Sequence, residues 1–214
     1  MRVAIMASGT GSNFDALQRS TAEPCHPGEI VVVLCDRTGA LVLEKARAAG
    51  VPVEEIDPGT RRGPWKAEAV RSCLDALRRH RVEAICLAGF LRILPPEVVR
   101  AFPNAILNVH PSLLPAFPGL HPQRQALEAG VKVAGCTVHL VDEGVDTGPI
   151  LVQRAVPVEP GDTEESLARR ILEEEHRAYP DALRALAEGR VTLGGRCASI
   201  APPRVHEPAC PANR

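Results

Sequence analysis

The chain has 214 residues, a formal net charge of −1, and 45% hydrophobic and 24% charged residues. That length suits one domain, or a domain with an appendage. Near-neutrality gives no electrostatic pull toward nucleic acid or an anionic membrane, and aromatics at 3% argue against base-stacking platforms. Cys25, Cys35, Cys73, Cys86, Cys136, Cys197 and Cys210 are scattered and form no Cys-x-x-Cys pair, which disfavours zinc ribbons and redox dithiols. Cys35 and Cys86 lie in apolar runs and read as inert core thiols. The first apolar run, residues 3–7, is too short for a signal-peptide core, and no stretch approaches membrane-spanning length. A reducing cytoplasm is the compartment expected.

Residues 2–7 read as a first strand. Ser8-Gly9-Thr10-Gly11-Ser12-Asn13 then turns the chain into a helix over residues 14–19. A glycine-rich turn from strand to helix presents backbone N–H groups at a helix N-terminus, which is an anion site. Phe14 stands where the dinucleotide fingerprint needs glycine, and no Gly-Lys-Ser/Thr follows. A single phosphate therefore fits better than a dinucleotide or a P-loop ligand. The plainer alternative is a tight turn with Ser12 or Asn13 as N-cap. Strand, helix and strand follow over residues 29–35, 41–49 and 51–56, with Gly50 stopping the helix. The basic segment Arg61-Arg62-Gly63-Pro64-Trp65-Lys66 precedes a long helix that ends near His80. Residues 82–87 form another buried-type strand. At its carboxyl end, Leu91, Arg92, Ile93 and Leu94 could wall a flat ligand or simply complete the core.

The next strand, residues 105–109, runs into Asn108-Val109-His110-Pro111-Ser112-Leu113-Leu114-Pro115. Alternation puts Asn108 and His110 on one face, and Pro111 keeps His110 extended. A carboxamide donor beside an imidazole can hold a developing oxyanion and move a proton. A core pair that satisfies itself is the alternative. The loop over residues 111–121 is long enough to act as a lid. A helix over residues 123–128 and a strand over 131–141, carrying Thr137 and His139, come next. Residues 142–149 form a turn-rich loop in which Gly144 breaks the calcium-loop pattern. Asp146 either caps that turn or faces His110. Residues 150–156 read as a last strand. Asp162 or Thr163 caps a helix that runs to about Ala178, with Glu173, Glu174, Glu175 and His176 on a solvated face. Pro180 opens a separate, shorter helix. The tail from about Cys197 is rich in proline and without periodicity. Strands alternating with helices indicate an α/β fold: a single doubly wound, mostly parallel sheet with helices on both faces and an antiparallel part near the C-terminal strands.

Five stretches occur in a telling order: Gly9-Thr10-Gly11-Ser12-Asn13, Leu87-Ala88-Gly89-Phe90-Leu91-Arg92-Ile93-Leu94, the Asn108 to Pro115 motif, Pro118-Gly119-Leu120-His121, and residues 142–149. Together they resemble the phosphoribosylglycinamide formyltransferases, folate-dependent enzymes of purine biosynthesis. The resemblance implies the formyltransferase fold over residues 1–195, with a C-terminal tail over 196–214. It implies a catalytic trio of Asn108, His110 and Asp146. Gly11, Ser12 and Asn13 would bind the ribose phosphate of glycinamide ribonucleotide, and Glu175 its glycinamide part. Lys66, Leu91, Arg92, Ile93, Leu94, Asn108, Val141, Asp142, Glu143, Gly144 and Val145 would form the folate pocket. Lys66 stands where other members often carry arginine, and its point charge lacks the bidentate fork. The co-substrate implied is 10-formyltetrahydrofolate, with no metal. The partners implied are small molecules, with neither nucleic acid nor membrane, for a monomer or homodimer. A formyltetrahydrofolate hydrolase would carry an N-terminal regulatory domain, for which a first strand at Arg2 leaves no room. A methionyl-tRNA formyltransferase would need a further C-terminal domain and a basic surface.

Overall fold

β1 (Arg2–Ala7) runs through the middle of the computed structural model, which describes residues 1–60 and 63–203. Arg61 and Arg62 of the basic segment, and the tail from residue 204 with Cys210, lie outside the described residues. Six further strands complete the main sheet: β2 (Glu29–Cys35), β3 (Val53–Glu55), β4 (Ala84–Leu87), β5 (Ile106–His110), β6 (Val133–Leu140) and β7 (Ile150–Pro157). The sheet order is β3-β2-β1-β4-β5-β6-β7. Pairings from β3 through β5 are parallel, and β5–β6 and β6–β7 are antiparallel.

Strand alternation divides the core in two. Val3, Ile5 and Ala7 of β1 face one apolar cluster, and Ala4 and Met6 face the other. The first cluster is covered by α1 (Ser12–Thr21), α2 (Leu41–Ala48), α5 (Pro122–Glu128) and α6 (Glu164–Ala187). The second is covered by α3 (Ala67–Arg79) and α4 (Pro96–Ala101). Both faces of the central strands are thus buried, which explains their near-continuous apolar runs. Burial pushes the thiols of Cys73, Cys86 and Cys136 up to about 12, so these cysteines are unreactive core groups. Among the described residues, no helix is long and apolar enough to cross a membrane.

Two expectations are corrected. First, Pro180 does not open a new helix. It lies inside α6, which continues unbroken to Ala187. Proline removes one helical hydrogen bond, but Ala178, Tyr179, Ala182 and Leu183 on both sides of it are fully buried against the sheet, and that packing outweighs the local loss. Second, the segment read as an aperiodic tail contains β9 (Cys197–Ile200), which pairs antiparallel with β8 (Val191–Gly194). β9 has four residues, Cys197-Ala198-Ser199-Ile200, with only Ala198 and Ile200 half-buried, which is too short a pattern to stand out from the tail. At the start of α6, Thr163 is the cap, in a reciprocal box with Ser166.

Tyr179 ties α6 to the end of the sheet that matters most. Its buried hydroxyl lies 3.1 Å from the Leu87 carbonyl and 3.0 Å from the Leu107 carbonyl, where β4 ends and just before Asn108. Tyr179→Phe should lower the unfolding free energy by about 1–3 kcal/mol, since it leaves buried carbonyls without their donor. Urea denaturation should show a lower midpoint at unchanged slope.

Candidate active site

β1, β4 and β5 end side by side, and a cavity of about 400 Å³ opens beyond them. In doubly wound sheets, ligands bind at this edge, where successive connections leave in opposite directions. One wall is the segment after β4. Ser8 at the end of β1 binds it twice: the Ser8 N–H donates to the Gly89 carbonyl, and the Leu91 N–H donates to the Ser8 hydroxyl at 3.0 Å. Leu91 and Ile93 remain largely exposed at the mouth, as do Leu120 and Val145 from the opposite side. The result is an apolar slot suited to a flat ring system.

Asn108 and His110 project from β5 into this cavity, as alternation requires. The Nε2 of His110 lies 2.9 Å from the Phe117 carbonyl, to which it donates. Its Nδ1 faces the Asp146 carboxylate at 3.4 Å. Asp146 lies on the 141–149 loop with a left-handed backbone (φ 53), and its Oδ2 accepts the Gly119 N–H at 2.8 Å. Of the two roles considered for Asp146, the structure shows the one that faces His110; the turn itself is capped by Asp142, whose Oδ1 accepts from the Gly144 N–H and the Thr147 hydroxyl. Burial pushes the Asp146 carboxyl up, but His139, the Gly119 N–H and His110 together outweigh it and hold it below its usual range. Gly148 makes the loop possible. A Cβ there would collide with the Leu140 carbonyl against which the backbone returns.

His139 belongs to this group, although the sequence marked it only as a polar residue on a strand. β5 and β6 pair with Asn108 opposite His139 and His110 opposite Thr137. Directly opposed residues of an antiparallel pair touch. The Nδ1 of His139 is 2.8 Å from the Leu140 carbonyl and donates to it, so in the neutral ring Nε2 is an acceptor. That Nε2 lies 3.1 Å from the Asn108 amide nitrogen and 3.7 Å from Asp146 Oδ1. His139 thus fixes which end of the Asn108 amide faces it and leaves a second amide N–H for a ligand. Thr137 anchors the start of the 111–121 loop. Its hydroxyl donates to the Ser112 carbonyl and accepts from the Leu114 N–H.

The glycine turn is a helix start without a side-chain cap. Gly11 is the N-cap residue at φ 74, and neither Ser12 nor Asn13 caps the helix. A Cβ at Gly11 would also stand 2.9 Å from Val42, so glycine is required twice over. Asn13 reaches the cavity, but Gly11 and Ser12 are not among its lining residues. Asn13 donates to Glu175 Oε2 at 2.8 Å across the α1–α6 packing, and its own buried Oδ1 lacks a partner among the described residues. Glu175 is therefore not on a solvated face. It is buried and lines the cavity. Leu91, Arg92, Ile93, Leu94, Val141, Asp142, Glu143, Gly144 and Val145 all line the cavity as expected. Lys66 does not. Its ammonium bonds Asp57 at 2.7 Å in the open.

Burial pushes the Glu175 carboxyl from 4.5 to about 7, with the Asn13 N–H opposing only in part. The folded protein therefore holds this proton more tightly than the unfolded chain. Its stabilising contribution is complete below pH 4.5 and is lost as pH rises through 7. Glu175→Gln, which cannot ionise, should match the parent protein near pH 4.5. Above pH 7 it should be more stable by on the order of 3 kcal/mol, a difference that chemical denaturation at two pH values would measure.

A family profile described as formyl transferase matches residues 1–183. The chain is 42% identical to the phosphoribosylglycinamide formyltransferase of Bacillus subtilis, over 86% of this chain and 94% of that protein. It is 47% identical to the trifunctional purine biosynthetic protein adenosine-3 of Drosophila melanogaster, over 92% of this chain but only 15% of that protein, so it spans a small part of such relatives. The crystal structure of glycinamide ribonucleotide transformylase 1 from Symbiobacterium toebii superposes with a TM-score of 0.88 at 50% identity, covering 94% of this chain and 93% of that one. With the same sheet, the same edge and matches of this extent, the chain belongs to the formyl transferase family.

Proposed function

We propose that this protein transfers the formyl group of 10-formyltetrahydrofolate to the amine of glycinamide ribonucleotide, giving N-formylglycinamide ribonucleotide in purine biosynthesis. The observation that carries this reading is the convergence of Asn108, His110 and Asp146 on one cavity that also holds Asn13 and Glu175. The apolar slot between residues 91–94 and 141–145 fits the folate ring system. The α1 N-terminus, with first-turn N–H groups that lack helical partners, suits the ribose phosphate. Asn13 and Glu175, bonded to each other in the same cavity, suit the glycinamide end.

In this reading, amine addition to the formyl carbon places negative charge on its oxygen. Asn108 has one amide N–H committed to His139 and one left to donate to that oxygen. His110 lies beside that oxygen with its Nε2–H held by the Phe117 carbonyl, and Asp146, ionised and 3.4 Å from its Nδ1, is its charge partner, so it supports the developing charge as a fixed imidazole–carboxylate pair. The same carboxylate is placed to accept the proton that the attacking nitrogen must lose and to pass it on toward the departing one. Every group in this scheme is held by another before substrate arrives, so little reorganisation is needed in the transition state.

Asn108→Ala and Asp146→Ala should each lower kcat by about 10²–10³-fold, the usual cost of losing an oxyanion donor or its charge support, with the circular dichroism of the folded protein retained. The deciding assay follows folate release spectrophotometrically from a 10-formyl donor, with and without glycinamide ribonucleotide. Release that depends on the ribonucleotide supports the transferase. Equal release in its absence would make water the acceptor and overturn the reading, as would near-normal turnover in either variant.

A further inference from the structure

Arg92 lines the cavity, yet its guanidinium is committed elsewhere. Nε donates to Asp36 Oδ2 at 2.5 Å, with the two side chains only 10% and 4% exposed. Nη1 donates to the Thr60 carbonyl at 2.9 Å and Nη2 to the Gly59 carbonyl at 3.1 Å. One side chain therefore joins three segments that share no backbone ladder at this point: the segment after β4, the turn after β2 and the loop that leads to α3. Nearby, the Trp65 indole N–H donates to the Ile93 carbonyl at 3.0 Å, and its ring packs at a tilt on Phe90, 5.9 Å between centroids. The Lys66 N–H closes the same loop on the Pro58 carbonyl. The wall made by residues 91–94 is thus held from both sides, by Ser8 on one and by Gly59, Thr60 and Trp65 on the other.

We propose that Arg92 and Asp36 are a positioning pair for this wall, clamping the 57–60 loop behind residues 91–94 so that the backbone of the wall is fixed before the formyl donor binds. The inference rests on the reading of the cavity as a folate site. It assigns the Arg92 side chain a role apart from contact with the ligand, since three of its five N–H donors, one on each nitrogen, are already engaged on protein groups. A lysine in its place could face Asp36 but could not reach two carbonyls in a fork. Broken from either side, the clamp frees the loop, and the cost falls on donor binding and not on the chemistry at Asn108 and His110.

Arg92→Lys and Asp36→Asn test this from opposite ends, with circular dichroism to establish folding. Trp65 is the chain's one tryptophan, and acrylamide quenching of its fluorescence reports how tightly the loop lies on the wall without any need for activity. The expected result is stronger quenching and a KM for the formyl donor raised about tenfold, the size of one lost charge-assisted hydrogen bond. The KM for the ribonucleotide and kcat should stay within about twofold of the parent protein, because the groups that hold the amine and the oxyanion are untouched. Unchanged quenching with an unchanged donor KM would overturn the proposal. So would a parallel loss in kcat and both KM values, which marks general destabilisation. If one variant fails to fold, the other carries the test; if neither folds, the pair supports the whole domain and the proposal falls. Absence of ribonucleotide-dependent transfer in the parent protein would defeat the functional reading alone, while quenching would still decide whether the clamp exists.

Discussion

The antiparallel pairing of β5 with β6 is the constraint on which the site depends. Five parallel strands bring their carboxyl ends to one edge, but parallel strands alone supply loops that leave that edge through helices. Reversing the chain at β6 changes this. It sets His139 against Asn108 and Thr137 against His110. β6 ends at Leu140 opposite Leu107, with the Val141 N–H on the Ile106 carbonyl, so the 141–149 loop starts beside the first residues of β5 and its return toward β7 carries Asp146 to His110. A slip of one residue in this register would turn His139 and Thr137 to the other face of the sheet, removing the partner of the Asn108 amide and the anchor of the 111–121 loop together.

Around this register the polar groups form a closed accounting. Buried polar atoms cost free energy unless they are bonded. Here the Leu140 carbonyl takes the His139 N–H, the Phe117 carbonyl takes the His110 N–H, and Asp146 takes the Gly119 N–H. The 111–121 loop is therefore held by the very groups it covers. A change in its position would be felt at His110 and Asp146, and a change in their protonation would be felt by the loop.

Two carboxylates in the same cavity are pushed in opposite directions. Asp146 is held below its usual range because His139, the Gly119 N–H and His110 outweigh its burial. Glu175 is raised to about 7 because a single Asn13 N–H cannot offset its burial. Environments that separate like groups in this way divide labour between them. Asp146 is a settled anion beside an imidazole. Glu175 can exist with or without its proton near neutrality.

Local rules carried much of this into the sequence. Apolar runs and glycine punctuation marked the seven strands of the main sheet, most plainly the central ones, because strands buried on both faces need unbroken apolar residues. Period-two geometry placed Asn108 beside His110 with no knowledge of the fold. Leu91 to Leu94 read as a possible wall because they follow a strand end, whereas residues 141–145 were assigned to the pocket only through the family resemblance. Contacts between distant segments were not legible in the same way. Nothing local pairs Asn108 with His139, since inter-strand register is a property of two strands and not of either. Pro180 predicted a break that burial on the sheet overrides, and β9 carries too little apolar pattern to announce itself. Glu175 looked like part of an acidic surface until the packing of α1 on α6 buried it against Asn13. Secondary structure and the identity of the reactive side chains followed from short-range sterics and alternation, whereas partners, burial and charge state followed from which surfaces meet, and those are settled only when the sheet closes its order and register.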